Sequence, residues 1–298
     1  MSEPASLRAV LVDPSLFTAP YDAALTEGLL ASGVEPRWAV RPIRQGDRQL
    51  IEGCEVDAFF YRRVDELRGV PRALRAVVKG VAHAVGLLRL VGRVLRHRPH
   101  VVHFQWAVVP PLDALAMGAL KRCCPVVLTV HDTVPFNGER PPWLFRLGLE
   151  LPLRLADRVI VHTQSGRDRL LERGVPREKI AVIPHGPLEL RALPSGPKPG
   201  EQRDARWTFV LFGELKHYKG LDVLIEALGQ LPASLRAEAR VIIAGRPLMD
   251  LAPLERRIAE LHLDAMVEIR PRRQTEEEMA NLFAEANCFL FPYRQVDA

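Results

Sequence analysis

Short apolar runs rich in Val, Ile and Leu alternate along this chain with longer stretches whose apolar positions recur every three or four residues. The short runs read as strands buried on both faces and the longer stretches as covering helices, the order of repeated βαβ units around parallel sheets. In the first half the pattern predicts strands at residues 8–12, 36–40, 58–61, 101–105, 126–130, 159–162 and 180–183. Helices are expected at about residues 22–32, 71–97, 112–122, 143–155 and 165–173. Together they make one doubly wound domain over residues 1–186.

Periodicity then stops. Between residues 187 and 206, Pro187, Pro194, Pro197 and Pro199 with Gly196 and Gly200 interrupt any regular element, which marks a linker. A second βα series occupies residues 207–298, with strands at 208–212, 240–244, 267–269 and 288–291 and helices at 221–230, 251–261 and 276–286. A parallel sheet is covered on both faces, yet no helix follows the strand ending at Phe291. The expected fold class is therefore α/β, two doubly wound parallel-sheet domains with the second one incomplete.

A length of 298 residues suits two domains. With 48% hydrophobic and 26% charged residues the chain lies in the globular range, which excludes disordered and coiled-coil classes. The net charge of +5 is local rather than global. Between Leu67 and Leu112 there is no Asp or Glu, while Arg68, Arg72, Arg75, Lys79, Arg89, Arg93, Arg96 and Arg98 supply eight positive charges, leaving −3 (5 minus 8) on the remainder. On the helix at 71–97, Arg72, Arg75, Lys79, His83, Arg89, Arg93 and Arg96 share one side, and Val77, Val81, Ala84, Val85, Leu88, Gly92 and Leu95 the other. Two readings stand: a basic face that meets an anionic membrane surface, or a solvated basic face whose apolar side packs on the sheet. Nucleic acid is not expected, because no aromatic stacking platform accompanies the charge. Cys54, Cys123, Cys124 and Cys288 form no C-x-x-C pair, and no signal peptide or run of about 18 apolar residues is present. The expected location is cytoplasmic, extended to the inner face of a membrane if the basic helix binds lipid.

The residues from Phe212 to Leu228 read F-G-E-L-K-H-Y-K-G-L-D-V-L-I-E-A-L. Gly213 ends the first strand of the second domain, Lys216 and Lys219 follow, and a helix starts at Leu221. Backbone N–H groups and the helix dipole attract anions at such a turn, and lysines add point charges. An ordinary turn with solvated lysines fits the same residues. The segment resembles the sugar-donor loop of retaining glycosyltransferases of family 4, whose GT-B fold sets two Rossmann-like domains across a cleft. Four further segments stand in that family's order: L-T-V-H-D at 128–132, V-I-P-H-G at 182–186, V-I-I-A-G at 241–245 and A-N-C-F-L-F-P-Y-R at 286–294.

The resemblance implies that Gly213, Lys216, Lys219, Gly245, Tyr293 and Arg294 hold a nucleoside diphosphate sugar. A hexosyl group would pass, with retention, to a hydroxyl of a saccharide or lipid-linked saccharide. It implies no metal and no cofactor beyond the nucleotide sugar as co-substrate, and no Asp-x-Asp occurs in the chain. Glu214 departs from the family, many members of which carry Arg there. His131, with Asp132 beside it, is placed near the reacting hydroxyl; a capping pair at a strand end is the other reading. His103 and Trp106 are placed on the acceptor side, against a core role for Trp106. His185 serves either the linker or the sugar donor. His97, His100 and His103 lack the spacing and companion ligands of a zinc site. Thr275 with Glu278 reads as a helix cap. Two alternatives accompany this reading: an inactive truncated fragment, because family members continue past the Pro-Tyr-Arg strand, and a GT-B sugar-nucleotide epimerase.

Overall fold

Alternation within the first strand lays out the first sheet: in β1 (Leu7–Asp13), Val10 and Val12 join one buried cluster and Leu11 joins another on the opposite face. The computed structural model describes residues 6–44, 49–62, 64, 71–133, 148, 150–186, 192, 194 and 206–294. The chain divides into two units, Met1–Leu188 and Glu189–Val296. In the first unit β1 is joined by β2 (Val34–Val40), β3 (Glu55–Ala58), β4 (Val101–Phe104), β5 (Val126–Val130), β6 (Arg158–Val161) and β7 (Ile180–Val182). All are parallel, in the order β3-β2-β1-β4-β5-β6-β7. The helices are α1 (Ala19–Ala31), α2 (Arg72–His97), α3 (Pro110–Leu120), α4 (Glu150–Leu155) and α5 (Gln164–Glu172). Of the helix expected at 143–155, residues 143–147 and 149 lie outside the described residues, as does all of the linker at 187–206 except Ala192, Pro194 and Arg206.

The second unit holds β8 (Trp207–Phe212), β9 (Ala239–Ala244), β10 (Val267–Arg270) and β11 (Cys288–Phe289), again parallel, in the order β10-β9-β8-β11. Its helices are α6 (Leu221–Gly229), α7 (Ala233–Ala237), α8 (Ala252–Glu260) and α9 (Glu276–Glu285). Leu211, Val241 and Ile243 pack with Leu224 and Ile225 of α6 and Ile258 of α8, while Val210 and Ile242 face Leu282 of α9 on the opposite side. Thr275 and Glu278 form the expected capping box at the start of α9. The short helix α7 was not expected from the periodicity, because five residues are too few to show a helical period.

Both sheets reverse their strand order at one point, between β1 and β4 in the first and between β8 and β11 in the second. The space past the carboxyl ends of strands at such a reversal is where open α/β sheets receive ligands.

Two expectations need correction. The strand placed at 58–61 is β3, Glu55–Ala58. Phe59, Phe60 and Tyr61 leave the sheet and pack below α2, where Gly86 lies so close to the Phe60 ring that a Cβ there would stand 2.2 Å from it. The edge strand is more polar than the aromatic run that follows it, so apolar content misplaced it.

Helix α2 has its predicted length but buries a different side. His83, Leu87, Leu90 and Val94 face the core. Val77, Val81, Val85, Leu88 and Leu95, with Leu74, point outward at 40–73% exposure. A helix with apolar residues on two sides can bury only one of them, and this one buries the side that also carries His83. That ring does not share the exposed basic face: its Nδ1 lies 2.7 Å from the Tyr61 hydroxyl and its Nε2 2.8 Å from Asp113 Oδ1. Arg93 lies over the Phe59 ring at 4.5 Å and pairs with Asp57, and Lys79 lies 5.4 Å from the Tyr61 ring centre. Among the described residues no helix is long and apolar enough to cross a membrane.

Candidate functional site

His131 directly follows β5, and neighbouring elements converge on it. Trp106, past the end of β4, stacks on its ring with centroids 4.9 Å apart and planes 20° apart. Tyr21 of α1 meets it edge-on at 4.9 Å. His162, just past β6, brings Nε2 to 3.2 Å from His131 Nδ1, and its own Nδ1 stands 2.9 Å from the Ile183 carbonyl past β7. His185 completes the group, 5.3 Å from the His162 ring and 4.9 Å from Tyr21. Burial, reinforced by His162, His185 and His103, holds the His131 pKa down to about 3, so this imidazole is neutral in ordinary buffers. Its Nε2 is buried without a hydrogen-bond partner, as is Gln105 Oε1 after β4.

Asp132 stands half-buried beside His131. Trp106 is positioned by this cluster, its Nε1 donating to Thr18 Oγ1 at 3.2 Å. His103 lies within β4 and bonds across to Thr129 Oγ1 of β5 at 2.7 Å; burial holds its pKa at about 4. Asp13 and Asp22 are fully buried; Asp13 accepts from the Ser15 and Thr18 N–H groups, and Asp22 Oδ1 accepts from Thr18 Oγ1 at 3.3 Å. Burial raises the pKa of both carboxyls, that of Asp22 well above the usual carboxylate range. Past β2 and β3 a cavity of about 250 Å³ is lined by Leu16, Val40, Arg41, Ile51 and Ala58 among others.

The second unit gathers most of its candidates around one turn. Between β8 and α6 the chain passes Gly213 and a short 3₁₀ turn at His217–Lys219. Lys219 folds back beneath Gly213, its Nζ donating to the Phe212 carbonyl at 3.0 Å and lying 5.1 Å from the Tyr293 ring centre. It is 6% exposed, and burial pushes its pKa down. Gly245, at the end of β9, touches Gly213, since a Cβ on Gly245 would fall 1.7 Å from the Gly213 carbonyl oxygen. Tyr293 stands edge-on to Tyr218 at 5.6 Å.

Lys216 and Arg294 are engaged otherwise. Lys216 pairs with Glu214 at 3.0 Å, and Arg246 binds the other oxygen of the same carboxylate. Partial burial works against ionisation of Glu214, but the two cations outweigh it and hold its pKa below the usual range. The carboxylate that departs from the family is thus neutralised locally. Arg294 pairs with Asp222 of α6. Sequence reasoning missed Tyr21, His162 and Arg246. The signal for His162 was the same as for His131, a histidine just beyond a buried apolar strand; Arg246 follows Gly245 directly.

Models of known families match both units: Glycosyltransferase Family 4 over residues 23–186 and Glycosyl transferases group 1 over residues 197–295. The chain belongs to glycosyltransferase family 4. No curated protein matches the sequence. Among solved structures, this family 4 enzyme is similar to Anabaena HepE in complex with UDP and glucose, at 17% identity and TM-score 0.64 over 95% of this chain and 73% of that one. It is also similar to the catalytic domain of starch synthase IV from Arabidopsis thaliana bound to ADP and acarbose, at 12% identity and TM-score 0.64 over 97% of this chain and 78% of that one. A UDP-N-acetylglucosamine 2-epimerase aligns at 15% identity and TM-score 0.56 over 95% of this chain and 74% of that one. At such identities the likeness is one of fold, and the fold is GT-B.

Proposed function

We propose that this glycosyltransferase moves a hexosyl group from a nucleoside diphosphate sugar to a hydroxyl acceptor, with retention and without a metal. The observation that carries this reading is the buried Lys219 ammonium under Gly213, at the strand-to-helix turn beside the order reversal of the second sheet. Bond breaking at the sugar C1 leaves negative charge on the departing diphosphate, and a fixed cation with loop N–H groups stabilises it without reorganisation. Gly213 and Gly245 let that backbone come close, and Tyr293 walls the ammonium on one side. HepE and starch synthase IV support a nucleotide partner by analogy, because their structures hold UDP with glucose and ADP. Family membership supports retention. Both matching family models favour transfer over epimerisation.

His131 Nε2 is a buried acceptor without a partner, and it would accept the hydrogen bond of the attacking hydroxyl once the acceptor displaces the side chains that cover it. With its pKa near 3 it is too weak a base to keep that proton. The proton leaves instead on the released diphosphate as the acceptor oxygen bonds to C1. The decisive assay is transfer from UDP-, GDP- and ADP-hexoses to saccharide and lipid-linked acceptors in excess EDTA, with the product anomer read by NMR. Inverted product, or turnover that EDTA abolishes, would refute the retaining, metal-free reading.

An anionic bilayer is the partner this reading gives to α2. Its outward apolar row is flanked by exposed Arg89 and Arg96, and no acidic residue occurs from 67 to 112. Apolar side chains enter the acyl boundary while arginines meet lipid phosphates, each worth about 1 kcal/mol near the surface. The protein is expected to sediment with phosphatidylglycerol vesicles at low salt, and Val81→Glu/Leu88→Glu to abolish this without loss of fold. Absence of sedimentation at low salt would remove the proposal.

A further inference from the structure

We infer that His162 is a positioning residue that fixes the tautomer of His131, so that His131 Nε2 is left as a buried acceptor with no partner of its own. The inference rests on the proposed role of His131 for its catalytic meaning, although the proton arrangement itself does not.

The geometry allows one arrangement for the neutral rings. His162 Nδ1 stands 2.9 Å from the Ile183 carbonyl, which can only accept, so the His162 proton is on Nδ1. His162 Nε2 is then a lone pair, and at 3.2 Å it requires a proton on His131 Nδ1. His131 Nε2 is left as an acceptor, and it is the atom of that ring with no partner. The opposite tautomers would set the His162 Nδ1 lone pair against the Ile183 carbonyl. Burial lowers the pKa of both rings, which keeps them neutral and the relay one-directional. Tyr21, edge-on to both rings at 4.9 and 5.3 Å, and Trp106, stacked on His131, keep the rings from turning over.

The Ile183 carbonyl just past β7 thus dictates, through two imidazoles, which His131 nitrogen carries the proton. Free imidazole side chains carry no such bias, so an apolar residue at 162 would release His131 to protonate Nε2 and donate where it must accept.

The test uses ¹⁵N-histidine-labelled full chain and two-bond ¹H–¹⁵N correlation, which reads the protonated nitrogen directly. His131 is expected in the Nδ1–H form at neutral pH. His162→Leu should shift it toward Nε2–H and lower kcat by about 100-fold with the KM for nucleotide sugar nearly unchanged. His162→Gln should keep the Nδ1–H form and recover most of the rate, because its amide oxygen can accept from His131 and its amide nitrogen can donate to Ile183. An Nε2–H tautomer in the unaltered chain, or an unchanged tautomer in a folded His162→Leu variant, would overturn the inference. The predicted tautomers without transfer from any sugar donor would support it while counting against the proposed function.

Discussion

Replacing Lys219 with Ala is expected to lower kcat/KM for the nucleotide sugar by about 10²- to 10³-fold, the usual cost of losing one preorganised charge donor at a transition state. The ammonium is held under the turn by the Phe212 carbonyl and the Tyr293 ring. Burial disfavours its charge in the free protein, and on the proposed reading an arriving diphosphate would add counter-charge. Lys219→Arg is not expected to rescue, because a Cβ at Gly213 would already lie 2.5 Å from the ammonium and a guanidinium is larger still. Lys216→Ala should cost less than about 10-fold, since that ammonium is tied to Glu214 on a half-exposed surface. Steady-state kinetics of the three variants decide the matter: a larger loss at Lys216 than at Lys219 would move the phosphate site to the outer lysine.

The second large effect is structural. Gly245→Ala is expected to destabilise the protein by about 3 kcal/mol or more. Its φ of +150° lies in a region that L-residues rarely adopt, and the added methyl would meet the Gly213 carbonyl oxygen at 1.7 Å. Neither strand can yield cheaply, because Gly213 N–H donates to Ala244 O and Gly245 N–H to Arg270 O. Gly28→Ala is the control: it lies within α1 with open space around its Cβ position, and a gain of about 0.5–1 kcal/mol is expected. Urea unfolding followed by circular dichroism measures both. A Gly245→Ala midpoint equal to that of the unaltered chain would contradict the close-packed turn.

Most strands were readable because a strand covered on both faces is apolar throughout, and β5, for example, lies at the residues its apolar run predicts. β3 was not, because an edge strand with Glu55 and Asp57 lacks that signature while the Phe59–Phe60–Tyr61 run after it mimics one. The orientation of α2 was illegible for a related reason. Periodicity finds an apolar stripe, but it cannot say whether the sheet or the solvent receives it when a second apolar side, through Leu87, Leu90 and Val94, is also present. At the candidate site, strand ends located His131 and the Gly213 turn. The bond from His162 to His131 could not be read, since it joins residues 31 apart on neighbouring strands. Nor could the Glu214 pairing with Arg246, which depends on β8 and β9 lying side by side.

The outward stripe of α2 also changes how substrate and enzyme would meet. Asp113, which binds His83 in the middle of α2, stands at the start of α3 just past the end of β4, on the edge of the sheet that carries His131. The middle of α2 is therefore tied to the end of the sheet at which His131 stands. On a bilayer, a lipid-linked acceptor would reach that edge by diffusion in a plane. The rate would then follow the mole fraction of acceptor in the lipid rather than its bulk concentration, so adding inert lipid would slow the enzyme by surface dilution.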